Sequence, residues 1–234
     1  MLRIWFLFAV LCVFGAGCFP TKAPEKMDTY KAVDAAAKHT GPYYLDLNGQ
    51  SLSRLPEGIT KLSGIAKLGL RNNDFKDGLT GIGALDSLVW LDLGQAGLTE
   101  LPDEFGNLKN VTMLYLSDNK LGSLPSRISG LSALVYLNLD RNKLKTLPPE
   151  IGKLKNLKWL RLNFNQLTEL PPEICEAGNL ERLYLRRNKL KALPAEIGKL
   201  KNLKWLLLEG NSIPDAERER IRKALPGCNI EFGF

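Results

Sequence analysis

Histidine and cysteine are the scarcest reactive side chains in this chain of 234 residues. His39 is the single histidine, so the sequence offers no Ser/His/Asp or Cys/His arrangement for nucleophilic catalysis and no His/Cys set for a transition metal. Of the four cysteines, Cys12 and Cys18 lie near the N-terminus, and only Cys175 and Cys228 lie further along the chain. Two distant cysteines do not form a disulfide framework. We therefore expect no enzyme activity, no metal site and no cofactor.

Long apolar runs are also nearly absent, and the one exception lies at the N-terminus. Arg3 precedes an uninterrupted apolar run from Ile4 to Phe14, which is shorter than the roughly 20 residues of a membrane-spanning helix. This pattern predicts a signal peptide over residues 1–17. The sequence Gly15-Ala16-Gly17-Cys18 resembles the lipobox of bacterial lipoproteins, which implies that Cys18 is acylated and becomes the mature N-terminus. Secretion without a lipid and an uncleaved N-terminal anchor are the alternatives.

Acidic residues are sparse in the second half of the chain. The net charge is +7, from 32 Lys and Arg against 25 Asp and Glu. Residues 18–140 hold 12 basic and 14 acidic side chains, whereas residues 141–234 hold 19 and 11. Such an excess serves either as a solvated surface or to steer an acidic partner towards the protein. We expect no nucleic-acid partner.

A leucine recurs through most of the sequence with a constant 23-residue spacing. Each of these leucines begins a Leu-x-Leu segment, and an apolar residue follows the first leucine by seven positions. An asparagine lies five positions after most of them. The leucines are Leu45, Leu68, Leu91, Leu114, Leu137, Leu160, Leu183 and Leu206, and the asparagines are Asn73, Asn119, Asn142, Asn165, Asn188 and Asn211. Apolar residues at a period of two predict a short strand, which the following asparagine and proline end.

One such unit cannot bury its own apolar face, but stacked units can bury it against one another. We therefore expect eight of these units, over residues 43–213, to form one parallel sheet with a continuous leucine core. The repeated asparagine is interpreted as a buried side chain that hydrogen-bonds backbone groups of a turn, and so as a structural residue.

Segments such as Leu147-Pro148-Pro149-Glu150-Ile151-Gly152-Lys153-Leu154-Lys155-Asn156-Leu157 resemble the 23-residue leucine-rich-repeat proteins abundant in spirochaetes. A proline column strengthens the likeness, at Pro56, Pro102, Pro125, Pro148, Pro171 and Pro194. The resemblance implies an α/β leucine-rich-repeat solenoid, with a curved parallel sheet and a convex side of short helices or 3-10 turns. Leu79 replaces the proline in the second unit, and Gln50 and Ala96 replace the asparagine in the first and third. We expect these three units to be looser than the others.

The segments that flank the repeats are expected to cap the solenoid, whose terminal units would otherwise expose their core. Residues 18–26 are predicted to be the anchor and linker, residues 27–42 an N-terminal cap and residues 214–234 a C-terminal cap. Helical spacing predicts an amphipathic helix over Asp28–Lys38. Pro214 is predicted to open a second helix, which ends at Pro226-Gly227 before a last strand over Asn229–Phe232.

The candidate binding surface follows from the alternation of side chains along a strand. The first column, one residue before each first leucine, holds Tyr44, Lys67, Trp90, Met113, Tyr136, Trp159, Arg182 and Trp205. The second column, between the two leucines, holds Asp46, Gly69, Asp92, Tyr115, Asn138, Arg161, Tyr184 and Leu207. Both columns should face outward on the concave side, and they are rich in the residue types that occur in protein interfaces.

From these columns we predict a concave ligand-binding site for a protein or glycan partner, with an acidic partner favoured. Its residues are Tyr44, Trp90, Met113, Tyr115, Tyr136, Trp159, Arg161, Arg182, Tyr184, Arg186, Arg187 and Trp205. The segment Lys155–Leu160 recurs letter for letter as Lys201–Leu206, so duplication alone is an alternative explanation for Trp159 and Trp205. The expected function is an exported, lipid-anchored binding module. A structural scaffold of the cell envelope and a secreted effector that binds a host protein are the alternatives.

Overall fold

The computed structural model of the protein describes residues 27–39, 41–76 and 78–233. The predicted signal peptide, the acylation of Cys18 and the linker concern residues 1–26, and they lie outside the described residues. Within the described ranges, neither of the two α-helices has the length and apolar character that a membrane span requires.

Ten parallel strands form one open sheet, in which their order is the order of the chain. Eight of them contain the first leucine of a Leu-x-Leu segment, so the predicted α/β repeat solenoid is confirmed. The strands are β1 Thr29–Tyr30, β2 Tyr43–Asp46, β3 Ile65–Gly69, β4 Trp90–Asp92, β5 Met113–Tyr115, β6 Tyr136–Asn138, β7 Trp159–Arg161, β8 Arg182–Tyr184, β9 Trp205–Leu207 and β10 Asn229–Glu231.

The register of the central strands follows the 23-residue spacing. Leu114 pairs with Leu137, and Tyr115 pairs with Asn138 one residue later. The first leucines of the eight units are all fully buried, because each lies against its counterparts in the neighbouring units. Each position of the repeat therefore forms a continuous column that runs from strand to strand.

The convex side is built from seven short 3-10 helices, as the resemblance implied. A proline immediately precedes each of the last five helices. Its ring fixes its own φ angle, which is −68° at both Pro125 and Pro148. In the first two units a left-handed glycine, Gly58 or Gly81, takes this place, and the helix shortens to three residues. The helices are Ile59–Lys61, Ile82–Ala84, Asp103–Asn107, Ser126–Gly130, Pro149–Lys153, Pro172–Glu176 and Ala195–Lys199.

The asparagine column lies buried between adjacent units, as predicted. The side-chain oxygen of Asn142 accepts the Leu121 N–H at 3.1 Å, and its amide nitrogen donates to the carbonyls of Leu116 and Leu139 at 2.9 and 3.1 Å. One side chain thus satisfies backbone groups of its own unit and of the preceding unit. Its removal would leave the buried Leu121 N–H without an acceptor and each of the two carbonyls with one donor fewer, which carries a free-energy cost.

The units without this asparagine use other groups. In the third unit the backbone carbonyl of Ala96 accepts the Phe75 N–H at 2.9 Å, so a main-chain oxygen replaces the missing side-chain oxygen. In the first unit Gln50 donates its side-chain amide to the Lys31 carbonyl at 2.9 Å and ties the unit to the N-terminal cap. The expectation that these units are looser stays a prediction.

A second column with a special role lies four residues after each first leucine. All eight of its members have left-handed backbone, with φ between 52° and 72°: Gly49, Asn72, Gln95, Asp118, Arg141, Phe164, Arg187 and Gly210. We refer to it as the left-handed column. L-residues other than asparagine and aspartate rarely adopt this conformation, so its larger members occupy it at a cost.

The predicted helix over Asp28–Lys38 is wrong. Thr29 and Tyr30 form a strand that extends the sheet beyond β2, and only Val33–Ala36 (α1) is helical. The Tyr44 N–H donates to the Asp28 carbonyl at 2.9 Å. The unpaired backbone of β2 thus recruits the segment as a strand, and this tertiary pairing outweighs its helical spacing of apolar residues.

His39 has a structural role in this N-terminal cap. Its Nδ1 lies 2.9 Å from the Tyr30 hydroxyl, and its Nε2 lies 3.2 Å from the Asp28 carboxylate. The Tyr30 ring packs edge-on against Tyr43, with ring centroids 5.4 Å apart. His39 therefore links Tyr30 and Asp28 within the N-terminal cap.

The helix predicted after Pro214 and the last strand predicted after it are both present. The helix α2 spans Asp215–Ala224 after Pro214 and buries Ile221, and β10 then adds a tenth strand. Glu217 of α2 accepts the Leu193 N–H at 3.0 Å and binds the Arg220 guanidinium at 2.7 Å. The cap thereby satisfies a backbone group of the last complete unit.

Candidate functional site: the concave face

The two predicted columns lie side by side on the exposed surface of the sheet. Trp90 pairs in register with Met113, Met113 with Tyr136, and Tyr136 with Trp159. The second column is aligned in the same way, with Arg161 beside Tyr184. Most of these side chains are half-buried, because each lies against its neighbours in the column.

Five rings from the two columns form a continuous aromatic row. Consecutive ring centroids lie 5.8, 5.6, 5.0 and 6.0 Å apart along Tyr44, Trp90, Tyr115, Tyr136 and Trp159. These spacings are typical of stacked or edge-to-face aromatic pairs, which stabilise each other beyond the area they bury. The row therefore presents a preordered apolar surface that crosses six units.

Burial within the row keeps the tyrosine hydroxyls protonated. Desolvation raises the pKa of Tyr44 to about 12, and it raises the pKa of Tyr115 and Tyr136 above the ordinary value. The Tyr44 oxygen also accepts a hydrogen bond from the Asn48 side chain at 3.1 Å. The row can thus offer neutral hydroxyl groups to a ligand along an apolar surface.

The C-terminal end of the face combines aromatic rings with arginines. The Arg182 guanidinium lies over the Trp159 indole, 4.2 Å from the ring centroid, and the Arg161 guanidinium lies 5.6 Å from the Tyr184 ring. Trp205, the last aromatic residue of the first column, is 37% exposed and has no ring contact within the described residues. It is the most accessible aromatic side chain of the predicted site.

Two of the predicted arginines are neutralised by carboxylates. Arg161 binds the buried Asp140 through two nitrogens, at 2.7 and 2.6 Å. Arg186 binds Glu209, and it also binds Glu231 of β10 at 2.6 Å. Such charge-assisted bonds hold the guanidinium groups in place and reduce their attraction for an acidic ligand.

Arg186 and Arg187 lie outside the two columns. Arg186 lies two positions beyond the second column, and Arg187 belongs to the left-handed column, where its guanidinium stacks on Phe164 at 5.3 Å. The structure therefore places ten of the twelve predicted site residues on the two columns.

Sequence reasoning missed two carboxylates that form ion pairs with cations of this region, Glu181 and Glu231. Glu181 lies between Lys158 and Lys204, 3.7 and 3.0 Å from their amines, and the hydrogen bond from Lys204 lowers the pKa of its carboxyl. Glu231 reaches the face only because β10 extends the sheet. The 23-residue spacing that relates Lys158, Glu181 and Lys204 is the signal that could have revealed the first group.

The concave face is an open sheet surface. A cavity of about 280 Å³ lies elsewhere, between Lys201 and the end of α2, where Leu225 and Cys228 line it. Within the part of the chain that the structure describes, no group of three His, Cys, Asp or Glu side chains is arranged to hold a metal ion. The arrangement of the concave face suits contact with a large surface.

Two family models match the chain. The first, described as a leucine-rich repeat region, matches residues 74–157, and the second, described as a leucine rich repeat, matches residues 155–213. Together with the ten-stranded parallel sheet they define the chain as a leucine-rich-repeat solenoid, a class of domain that generally serves protein interaction. No curated protein matches the sequence.

Solved structures provide closer comparisons. A leucine-rich-repeat protein of Leptospira interrogans is 37% identical with a TM-score of 0.63, over 81% of this chain and 54% of that one. This chain spans about half the length of the Leptospira protein. The ectodomain of the plant membrane receptor kinase GASSHO1/SCHENGEN3 from Arabidopsis thaliana, solved in complex with CASPARIAN STRIP INTEGRITY FACTOR 2, is 29% identical with a TM-score of 0.65, over 81% of this chain and 24% of that one.

An internalin of Listeria monocytogenes shares the fold as well. It is 19% identical with a TM-score of 0.66, over 87% of this chain and 64% of that one. At this level of identity the likeness concerns the architecture alone.

Proposed function

We propose that this chain is a non-enzymatic protein-binding module whose ligand lies on the concave face. The observation that carries the proposal is the aromatic row, which continues through the Trp159–Arg182 stack to the exposed Trp205. Tryptophan, tyrosine and arginine are the residues that dominate binding energy at protein interfaces. Because packing holds the five rings of the aromatic row in place, little of their rotamer entropy would be lost on binding.

The length of the face suits an extended segment of a partner protein. Ten strands at a spacing of about 4.8 Å span about 43 Å, the length of about 13 extended residues. The plant ectodomain, whose similarity includes this sheet, was solved with a bound partner. We infer that the ligand here is a protein that contacts the row with apolar side chains, and that it carries charges of both signs, since carboxylates lie beside the arginines of the face.

The test is affinity capture with the purified chain from envelope and host extracts, followed by titration of the captured partner. We expect Trp159→Ala and Trp205→Ala each to weaken binding by about 2 kcal/mol or more, which is the loss typical of an interface hot spot. Asn156→Ala and Asn202→Ala are the matched controls, because these exposed asparagines precede the two tryptophans by three residues in the same duplicated segment.

Unchanged affinity in both tryptophan variants would reject the concave site. It would favour a scaffold that organises envelope components through its convex side and edges. A captured glycan in place of a protein would reject the protein ligand but keep the site, provided that the tryptophan variants still weaken binding.

We also propose that the chain is exported and anchored to a bacterial membrane through an acylated Cys18. The apolar run from Ile4 to Phe14 and the Ala-Gly pair before Cys18 support this proposal. The measurement is the intact mass of the protein isolated from its native cells, for which we expect a chain that begins at Cys18 and carries acyl groups. A mature protein with another N-terminus, or one that stays in the aqueous phase of a detergent separation, would contradict the anchor and leave a secreted effector as the alternative.

A further inference from the structure

Six cations lie together at one edge of the solenoid, where the strands end and the turns begin. They belong to two copies of the segment Arg-Asn-Lys-Leu-Lys, one in the fifth unit and one in the seventh: Arg141, Lys143, Lys145, Arg187, Lys189 and Lys191. All six side chains are exposed. We call this surface the basic turn edge. The concave site does not include its four lysines.

The backbone holds these two rows of cations in register. The Lys143 N–H donates to the Leu121 carbonyl and the Lys189 N–H to the Leu167 carbonyl, both at 2.9 Å, as part of a ladder that joins successive turns. Two strand spacings place the rows about 10 Å apart, and alternate residues within a row lie about 7 Å apart. The result is a regular grid of positive charge on a rigid support.

Phe164 of the intervening unit fixes the two arginines of this grid. The guanidinium carbon of Arg141 lies 4.5 Å from the centroid of its ring, and that of Arg187 lies 5.3 Å from it. The arginines come from the units on either side, so the ring stands between them. Phe164 occupies the left-handed column with a φ of 58°, and its ring remains 39% exposed. A large aromatic residue is a costly occupant of that conformation, and here it orients two anion-binding groups.

Most of this charge has no partner within the described part of the chain. Among the described residues, Lys143, Lys145, Lys189 and Lys191 form no ion pair within 4 Å, and Arg141 shares Asp118 with Arg71 at 3.7 and 3.9 Å. The same two units carry a second Lys-Leu-Lys on the convex side, but there Lys155 binds Glu176 at 3.5 Å and other glutamates lie nearby in the sequence. The basic turn edge thus brings together four exposed lysines that form no ion pair with the described residues.

We propose that the basic turn edge binds an anionic polysaccharide through its sulfate or carboxylate groups. Protein interfaces need an apolar core, and the exposed apolar group here is a ring between two guanidinium groups. A membrane surface would need apolar side chains free to insert, and single-stranded nucleic acid would need an open aromatic face for its bases. A charged glycan needs neither, because exposed cations at fixed spacing suffice for its anionic groups. This surface is separate from the proposed concave site.

The test is binding of a heparin-derived decasaccharide to the full chain at several salt concentrations. The test variant replaces Lys143, Lys145, Lys189 and Lys191 with glutamine. The control variant makes the same change at Lys153, Lys155, Lys199 and Lys201, so it removes the same charge from the same two units on the opposite side. We expect the test variant to bind about 10-fold or more weakly at physiological salt and to lower the slope of log K against log [salt] by about three to four, since each lost contact removes counterion release. The control should change the affinity less than about twofold, which is the effect expected of long-range charge screened by salt.

Equal losses in the two variants, or no loss in the test variant, would overturn the proposal. Three other anionic probes are compared with the decasaccharide: polyglutamate of matched charge, a single-stranded oligonucleotide, and vesicles of phosphatidylglycerol and phosphatidylcholine. Tighter binding of any of them to the basic turn edge would also overturn the proposal. Trp159→Ala and Trp205→Ala should leave decasaccharide binding unchanged. This separates failure of the polysaccharide site from failure of the concave site.

The variant Phe164→Asn removes the ring that contacts Arg141 and Arg187, and the protein should still fold. Asn72 occupies the same column with the same φ of 58°, so asparagine suits this backbone. We expect Phe164→Asn to be at least as stable as the parent to denaturant and to bind the decasaccharide about three- to tenfold more weakly, because the two guanidinium groups lose their support. Unchanged affinity in this variant would show that the ring does not organise the site.

Discussion

The Arg182 guanidinium stacks on Trp159 at 4.2 Å, although Arg182 lies between Trp159 and Trp205 in the first column. The two tryptophans come from identical hexapeptides, yet their surroundings differ. Trp159 also contacts Tyr136, with ring centroids 6.0 Å apart, whereas Trp205 is 37% exposed. One of these rings therefore serves both packing and the proposed binding, while the other is available for binding alone.

We predict that Trp159→Ala lowers the free energy of unfolding by about 1 to 2 kcal/mol, because it removes one aromatic pair and one cation–π contact. Trp205→Ala should change it by less than about 0.5 kcal/mol, as is usual for exposed positions. Urea denaturation measures both. Arg182→Gln is the control that isolates the cation–π part of the difference. Equal losses for the two tryptophans would contradict the packing that distinguishes them.

The asparagine column should be a main determinant of stability. We predict that Asn142→Ala costs about 2 to 4 kcal/mol, since it leaves the buried Leu121 N–H without its acceptor and removes one of the two amide donors to each of the Leu116 and Leu139 carbonyls. Asn156→Ala should cost less than about 1 kcal/mol, because this exposed asparagine makes a single bond, to Ser132, within the described structure. Thermal unfolding of the two variants compares them, and a similar loss in both would refute the structural role of the column.

The attachment of the C-terminal cap should depend on pH. The Arg220 guanidinium and the Leu193 N–H hold the pKa of the Glu217 carboxyl below its ordinary value of 4.5. The folded state therefore gains stability from this group above that pH, and the gain disappears as the pH falls through the lower pKa of the folded state. We predict that Glu217→Gln destabilises the chain by about 1 to 2 kcal/mol at pH 7.

This difference between parent and Glu217→Gln should shrink steadily from pH 5 to pH 3. Urea denaturation at each pH gives the values. Glu219→Gln is the control, since Glu219 lies on the same helix and pairs with the exposed Arg222. A Glu217→Gln difference that stays constant across this range would show that the carboxylate charge contributes nothing to the cap.

The thiols of Cys175 and Cys228 should react slowly. Cys175 and Cys228 are both free, and burial raises the pKa of each thiol to about 11. We predict that iodoacetamide at pH 8 modifies neither thiol quickly in the folded chain, since the thiolate is the reactive form. Cys228 should react first, because Cys175 is the more buried of the two. Peptide mapping after timed alkylation measures each site, and rapid modification of Cys175 in the folded state would contradict its burial.

The columns of the solenoid could be predicted from the sequence because each depends on one repeated position. The 23-residue spacing places Leu114 beside Leu137, and the alternation of side chains then determines that Met113 and Tyr136 face outward. Both inferences use only equivalent positions of adjacent units and the alternation of side chains along one strand. The helical C-terminal cap could be predicted from its own proline and glycine signals.

The rest depended on contacts that no periodic pattern contains. The segment around Thr29 has the spacing of a helix, and only the open edge of β2 makes it a strand. The Arg186 guanidinium forms an ion pair with Glu231, which lies 45 residues further along the chain. The pairing of Phe164 with two arginines requires the backbone geometry of the left-handed column, which the identity of a phenylalanine does not suggest.

The uniform register makes the length of this protein adjustable in whole steps. Residue 138 and residue 161 occupy equivalent positions, so removal of residues 139–161 would join two matching ends and leave both caps in place. Each such deletion or duplication would change the concave face by about 4.8 Å. The number of strands therefore sets the length of the concave face. The length of the partner segment that fits the proposed site would change in the same steps.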